Sequence, residues 1–359
     1  DKYEQPDTDF PTDVRTMVLQ GDTLWIGSLN GLYTYQLKSR QLNHFESKQT
    51  GLPHNTIYSI IHTKDNQIYI GTYNGLCRYV QASGKFENIL LPVNRGGSNL
   101  FVNSLLEDTT RQCIWIGMEG YLFQYNPTIG EMKAIEVFHN NSIKSLALDG
   151  DENLLAGTDN GLYVYQNDKE PLQHIIHDSR NIQSLTNNII WNIFSDQEHN
   201  IWLGTDYGIS LSRYNSALQF VPISQITGTG DGNQFYSLFR DSKGFYWFGG
   251  TNGVIRFTHP AGNKHDAIWY RMGDKNHPLS HNRIRHIYED REQQLWIATD
   301  GSINRYDYNT HQFVHYNIVD STGTYNTNWA YYLFEDTDGK LWIATCLGAV
   351  SYTHLTLPT

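Results

Sequence analysis

The sequence predicts an all-β fold assembled from copies of one four-stranded unit, and three observations carry that prediction. The stretch LWIGSLNGLYTY (24–35) reads as a strand, a tight turn and a second strand. It has seven relatives further along: IYIGTYNGLCRY (68–79), IWIGMEGYLFQY (114–125), LLAGTDNGLYVY (154–165), IWLGTDYGISLSRY (201–214), YWFGGTNGVIRF (246–257), LWIATDGSINRY (295–306) and LWIATCLGAVSY (341–352). The small residue after the apolar triplet, Gly27, Gly71, Gly117, Gly157, Gly204, Gly249, Ala298 and Ala344, returns every 40–49 residues. A fixed period of that size marks a repeat architecture. Each copy is also preceded by a short apolar strand and a polar turn. Four short antiparallel strands per period are the blade pattern of a β-propeller, expected here with seven blades and, as the alternative, eight.

Taken in order, the first strands read VRTMVL (14–19), TIYSIIH (56–62), VNSLLED (102–108), IKSLALD (143–149), IWNIFSD (190–196), FYSLFRD (235–241), IRHIYED (284–290) and AYYLFED (330–336). A turn such as Ser242-Lys243-Gly244 then leads into the second strand. Its aromatic (Trp25, Tyr69, Trp115, Trp202, Trp247, Trp296, Trp342, with Leu155 once) follows the period and so reads as packing between blades. The motif glycine reads as a place of close approach, and Ala298 and Ala344 show that positive φ is not required there. Fourth strands are ragged, as an outermost strand with one neighbour allows. An Asn precedes many first strands (Asn55, Asn141, Asn188, Asn233, Asn282, Asn328) and reads as loop architecture, bonding backbone two residues on. Residues 1–10 read as a lead-in or closing strand and 11–320 as seven full repeats. The eighth repeat, 321–352, either closes the ring or starts a following propeller, and 353–359, which do not continue the pattern, read as a non-native tail.

The chain has 359 residues, 39% of them hydrophobic and 18% charged, a globular and strand-rich profile. Net charge is −11 with no long Lys/Arg block, which removes the basic footprint of nucleic-acid binding. Cys77, Cys113 and Cys346 fall in different repeats without a CxxC pair, so neither a disulfide framework nor a zinc site is expected. No apolar run of membrane-spanning length and no signal segment is evident.

HExxH, GxSxG and Walker A patterns are absent. Asp336-Thr337-Asp338-Gly339 opens like a calcium loop but lacks the downstream Glu and occupies a strand turn. The 15 His are scattered. No catalytic residue, metal ligand or cofactor is therefore assigned. Residues that break the repeat are the better candidates for recognition. Trp191, Trp269 and Trp329 lie outside the second-strand slot, and Trp191 and Trp329 lie where a first strand begins. Tyr236, Arg285 and Tyr331, with Tyr58, share that register. Tyr73, Asp206, Tyr207, Asn252 and Asp300, with Glu119, lie in turns between second and third strands. Aromatic faces beside Asn, Asp and Arg suit a carbohydrate, whose rings stack and whose hydroxyls need partners.

The combined signature resembles the two-component regulator propeller repeat, on IYIGTYNGLCRY, IWLGTDYGIS and EDTDGKLWIAT above all. The resemblance runs over residues 11–352. It implies a periplasmic sensing ectodomain of a hybrid two-component receptor in Bacteroides-type bacteria, with two propellers, an immunoglobulin-like domain, a membrane helix and a kinase. On that implication the ligand is an oligosaccharide or other small molecule, kinase activity lies outside this chain, and the full ectodomain could dimerise. Two rivals stand beside it: an exported propeller lyase or glycoside hydrolase, and a protein-interaction scaffold.

Overall fold

A computed structural model describes residues 11, 13–93, 100–167, 172–181, 183–214, 221–222, 234–258, 267–275, 278–318, 328–346 and 348–352. The expectations for 1–10, 353–359 and Asn233 fall outside these. The chain divides into two compact units, one of residues 1–143 with 336–359 and one of 144–335.

In the first unit β1 (Val14–Gln20), β2 (Thr23–Ser28), β3 (Leu32–Gln36) and β4 (Leu42–Phe45) form an antiparallel sheet in chain order. A helical turn, α1 (Ser47–Thr50), leads to a second sheet of β5 (Ile57–His62), β6 (Ile68–Thr72), β7 (Gly75–Val80) and β8 (Lys85–Ile89). Next come β9 (Val102–Asp108), β10 (Cys113–Asn126) and β11 (Glu131–Leu148), whose last residues belong to the second unit. With β12 (Leu154–Thr158), β13 (Gly161–Tyr165) and β14 (Gln173–Ile175) they form one sheet of six strands.

The second unit holds three further four-stranded sheets. They are β15 (Ile190–Ser195), β16 (Ile201–Thr205), β17 (Gly208–Ser212) and β18 (Val221–Pro222); β19 (Phe235–Arg240), β20 (Tyr246–Gly250), β21 (Gly253–Phe257) and β22 (Ile268–Tyr270); and β23 (Ile284–Glu289), β24 (Leu295–Thr299), β25 (Ser302–Asp307) and β26 (Gln312–Tyr316). A last sheet has three strands, β27 (Ala330–Glu335), β28 (Leu341–Thr345) and β29 (Gly348–Tyr352).

The class is the expected all-β propeller of four-stranded antiparallel blades, but the expected number of blades is corrected. The described residues form five four-stranded blades, not seven or eight. The physical reason lies in β10 and β11. At 14 and 18 residues they continue where other copies of the motif turn, so the third and fourth copies merge into the six-stranded sheet. The eighth copy contributes three strands.

The motif can be read letter by letter. Its Trp is buried: Trp115, Trp202 and Trp247 expose none of their surface. Each indole N–H is donated to the Asp that closes the first strand: Trp115 to Asp108 at 3.0 Å, Trp202 to Asp196 at 2.9 Å, Trp247 to Asp241 at 2.8 Å, Trp296 to Asp290 at 2.7 Å and Trp342 to Asp336 at 2.8 Å. Trp25 uses Gln20 instead, at 3.1 Å. The second carboxylate oxygen accepts backbone N–H groups of the turn, as Asp241 does from Lys243 and Phe245. One side chain thus fastens both the turn and the core aromatic. Burial alone would raise the Asp108 carboxyl, but the Trp115 indole and the Arg111 backbone and guanidinium outweigh it and hold the group below its ordinary value.

The Thr after the motif glycine is buried and clasps the next turn, its hydroxyl donating to the carbonyl three residues on (Thr72 to Gly75 at 2.9 Å, Thr205 to Gly208 at 2.8 Å). The glycine itself faces the residue that opens the next first strand. A Cβ at Gly27 would stand 2.6 Å from Ile57, at Gly117 2.6 Å from Ile143 and at Gly157 2.7 Å from Ile190. Where Ala298 replaces the glycine, β24 packs against β27, which opens with the small Ala330. Bulk moves from one partner to the other while the layer spacing is kept.

Candidate functional site

First strands do not pair evenly with second strands. In six of them the register slips by one residue at the same place, skipping Arg15, Tyr58, Asn103, Trp191, Tyr236 and Arg285. Each is the extra residue of a β-bulge, which bends the strand and re-aims a side chain. Lys144 and Tyr331 follow the opening residue of their own first strands in the same way. The buried positions are therefore spaced by three, as in Ile57 and Ile60, Ile190 and Ile193, or Ile284 and Ile287. The first strands therefore do not alternate evenly between buried and exposed positions. While the motif repeats, the bulge residue changes its chemistry from sheet to sheet.

In the second unit these residues gather with the turns between second and third strands. Trp191 is 37% exposed and donates its indole N–H to Asp206 at 2.8 Å. Its ring meets Tyr236 edge-on at 6.0 Å, and the ammonium of Lys144 lies 4.4 Å from its centroid. Tyr236 is steadied by its own hydroxyl, which donates to Gln234. Expected candidates Trp191, Asp206 and Tyr236 are thus brought together, with Lys144 as an addition that sequence reasoning missed. The signal was present: Lys144 holds in IKSLALD the place that Trp191 holds in IWNIFSD.

A second cluster joins Arg285, Asp300 and Tyr331. Arg285 grips Asp300 with two bonds of 2.6 and 3.0 Å, and its guanidinium lies 5.2 Å from the Tyr331 ring. Arg283, also missed, approaches Asp300 at 3.9 Å. Beside them His286 stacks on Tyr332 at 4.0 Å and accepts the Leu333 backbone N–H, and burial pulls its pKa down to about 4. Tyr207 and Trp329 are exposed over half their surface and Asn252 is exposed at its turn.

Tyr73 belongs to the first unit, packed with His54, Tyr58 and Phe101 at 4.9, 6.5 and 4.1 Å between centroids. Trp269 is half-buried against the core and covered by Arg271 at 4.2 Å, which makes it a packing residue. Three of the recurrent Asn, Asn55, Asn188 and Asn282, fasten loops, though not to the backbone two residues on. Asn188 and Asn282 accept from the N–H of His177 and Met272, on the chain leaving the preceding fourth strand. Among the described residues no group of three or more His, Cys, Asp or Glu is placed to hold a metal ion, and no helix is long and apolar enough to cross a membrane.

Five stretches, 51–74, 184–207, 229–252, 278–301 and 324–346, match the family described as two component regulator propeller. These stretches are similar to two component regulator propeller repeats. Each matched stretch ends in the turn after a second strand, so it spans the first strand and the first half of the motif. Two solved structures of the extracellular domain of BT4673 from B. thetaiotaomicron are 81% and 82% identical to this propeller chain, each with a TM-score of 0.56. They are described once as a one component system and once as a hybrid two component system. Each covers 96% of this chain, which spans 46% of theirs. A streptogramin B lyase structure covers 97% of this chain at 15% identity with a TM-score of 0.52, and at that identity it shows the fold alone. No curated protein matches the chain.

Proposed function

We propose that this regulator propeller is a ligand-sensing part of a periplasmic receptor ectodomain in a hybrid two-component system, and that it takes a carbohydrate fragment at the loop-side clusters of its second unit. One observation supports the reading above the others: Trp191, an exposed indole whose N–H is tied to Asp206 and whose edge rests on Tyr236. A ring fixed in this way gives a sugar a stacking surface with little ordering cost on binding. Arg285 and Asp300, already paired, offer charged donors and acceptors for hydroxyls.

The two carboxylates also bear on the choice between binder and enzyme. Asp206 is held by Trp191 and Asp300 by Arg285, so each has a structural partner and neither is poised as a lone base. The relatives' description as extracellular domains of signalling systems supports the same choice. Calorimetric titration of the chain with a panel of neutral and acidic oligosaccharides tests the proposal. Binding that is lost in Trp191→Ala with the unfolding midpoint unchanged is the expected result. A folded chain that binds no member of the panel would overturn it.

A further inference from the structure

Lys144 has a place that the sensor reading does not use. Its ammonium lies 4.4 Å from the centroid of the Trp191 ring, and among the described residues it makes no ion pair. Elsewhere in this unit Arg285 is locked on Asp300 and Arg180 on Asp178. The side chain is half-buried, so its charge is partly desolvated without a counter-charge. The contact with the indole sets Lys144 on the same side as Trp191.

A wider bias supports this. Across the eight first strands the residue after the opening position is Arg15, Tyr58, Asn103, Lys144, Trp191, Tyr236, Arg285 or Tyr331, with no acid among them. The chain as a whole has 37 Asp and Glu against 26 Lys and Arg, so acids are missing at this one register in a chain rich in them. An anionic group arriving there meets the Lys144 ammonium and no like charge from the bulge residues themselves, while the Asp206 carboxylate at the indole edge is already engaged by the Trp191 N–H.

We infer that the Trp191 cluster binds an anionic oligosaccharide, stacking one ring on the open part of the indole while an acid group on the sugar pairs with Lys144. The inference rests on the preceding reading of the site as a carbohydrate receptor and adds the charge class of the ligand. A carboxylate and a sulfate ester would make the same contact, since each offers oxygens to an ammonium.

The test is a set of calorimetric titrations of the chain and its Lys144→Gln and Lys144→Arg variants. The probes are oligogalacturonate, its carboxyl-reduced neutral counterpart and a sulfated neutral oligosaccharide, each at low and high salt, with thermal unfolding of every variant as a control on folding. The expected result is binding of one acidic probe at least ~10-fold tighter than the neutral one, as a charge-assisted hydrogen bond gives. Added salt weakens it, Lys144→Gln abolishes the preference, and Lys144→Arg retains most of it. Preference for the carboxylate or for the sulfate probe identifies the acid group. Equal binding of the neutral probe, or an acid preference that survives Lys144→Gln, overturns the inference and leaves the carbohydrate reading standing. Absence of binding to every probe overturns both.

Discussion

Trp191 and Trp202 lie in the same blade, and each donates its indole N–H to an aspartate, at 2.8 and 2.9 Å. There the likeness ends. Trp202 exposes none of its surface and is packed by Tyr246, Phe248 and Phe257. Trp191 is 37% exposed, with one tyrosine edge and one ammonium for company. The first belongs to a motif that returns in nearly every sheet, the second to a register whose residue changes each time. Side chains that repeat with the fold hold the sheets together. Those that vary at a fixed, re-aimed position are the ones the proposed function assigns to recognition.

The comparison can be broken at several points, and the repeating side should yield the largest effects. Trp202→Ala should cost about 3–5 kcal/mol of stability by denaturant unfolding, since it empties a fully buried site. Trp191→Ala should cost under ~1 kcal/mol in the same assay. Next comes Asp241, which accepts from the Trp247 indole, the Tyr308 hydroxyl and two turn amides. Asp241→Ala orphans these donors and should destabilise by about 2–3 kcal/mol.

Gly249→Ala places a methyl into Ile284 and should cost about 1–2 kcal/mol. Ala298 facing a strand opened by Ala330 indicates the remedy. In a double-mutant cycle, Gly249→Ala should be less damaging in an Ile284→Ala background, and strict additivity would remove the size-exchange explanation.

A further effect concerns pH. The folded His286 has a pKa of about 4 against an ordinary 6.5, so the folded state resists the proton that the unfolded chain accepts. Its contribution is complete above pH 6.5 and is lost as pH falls towards 4. The residue as a whole is half-buried, so the loss should be ~1–2 kcal/mol. A series of unfolding curves across that window should show it, and His286→Gln should flatten the slope.

Much of the fold was legible because it rests on residues whose spacing is fixed by backbone geometry. The eight motif copies, the buried aromatic, and the glycine that admits a neighbouring sheet all follow from a repeated strand pair. The blade count did not follow, because nothing in IWIGMEGYLFQY forecasts that β10 runs straight through the place where its relatives turn. Glu119-Gly120 lacks the Asn-Gly or Tyr-Gly step of the better turns.

The site was half legible. Trp191, Tyr236 and Arg285 stood out by breaking the repeat, yet their common cause, the bulge, did not. Apolar residues spaced by three, as in Ile190 and Ile193, carried that signal. Lys144 was missed because a lysine at a strand start looks like ordinary surface until the ring beneath it is seen.

The account stands on the claim that the varied register, not the repeated motif, is the recognition surface. The most direct test is the oligosaccharide affinity of Trp191→Ala measured beside its thermal unfolding midpoint. The account predicts that affinity falls at least ~10-fold, as loss of a stacking aromatic implies, while the midpoint stays within a few degrees. Unchanged affinity in a folded Trp191→Ala chain would contradict it.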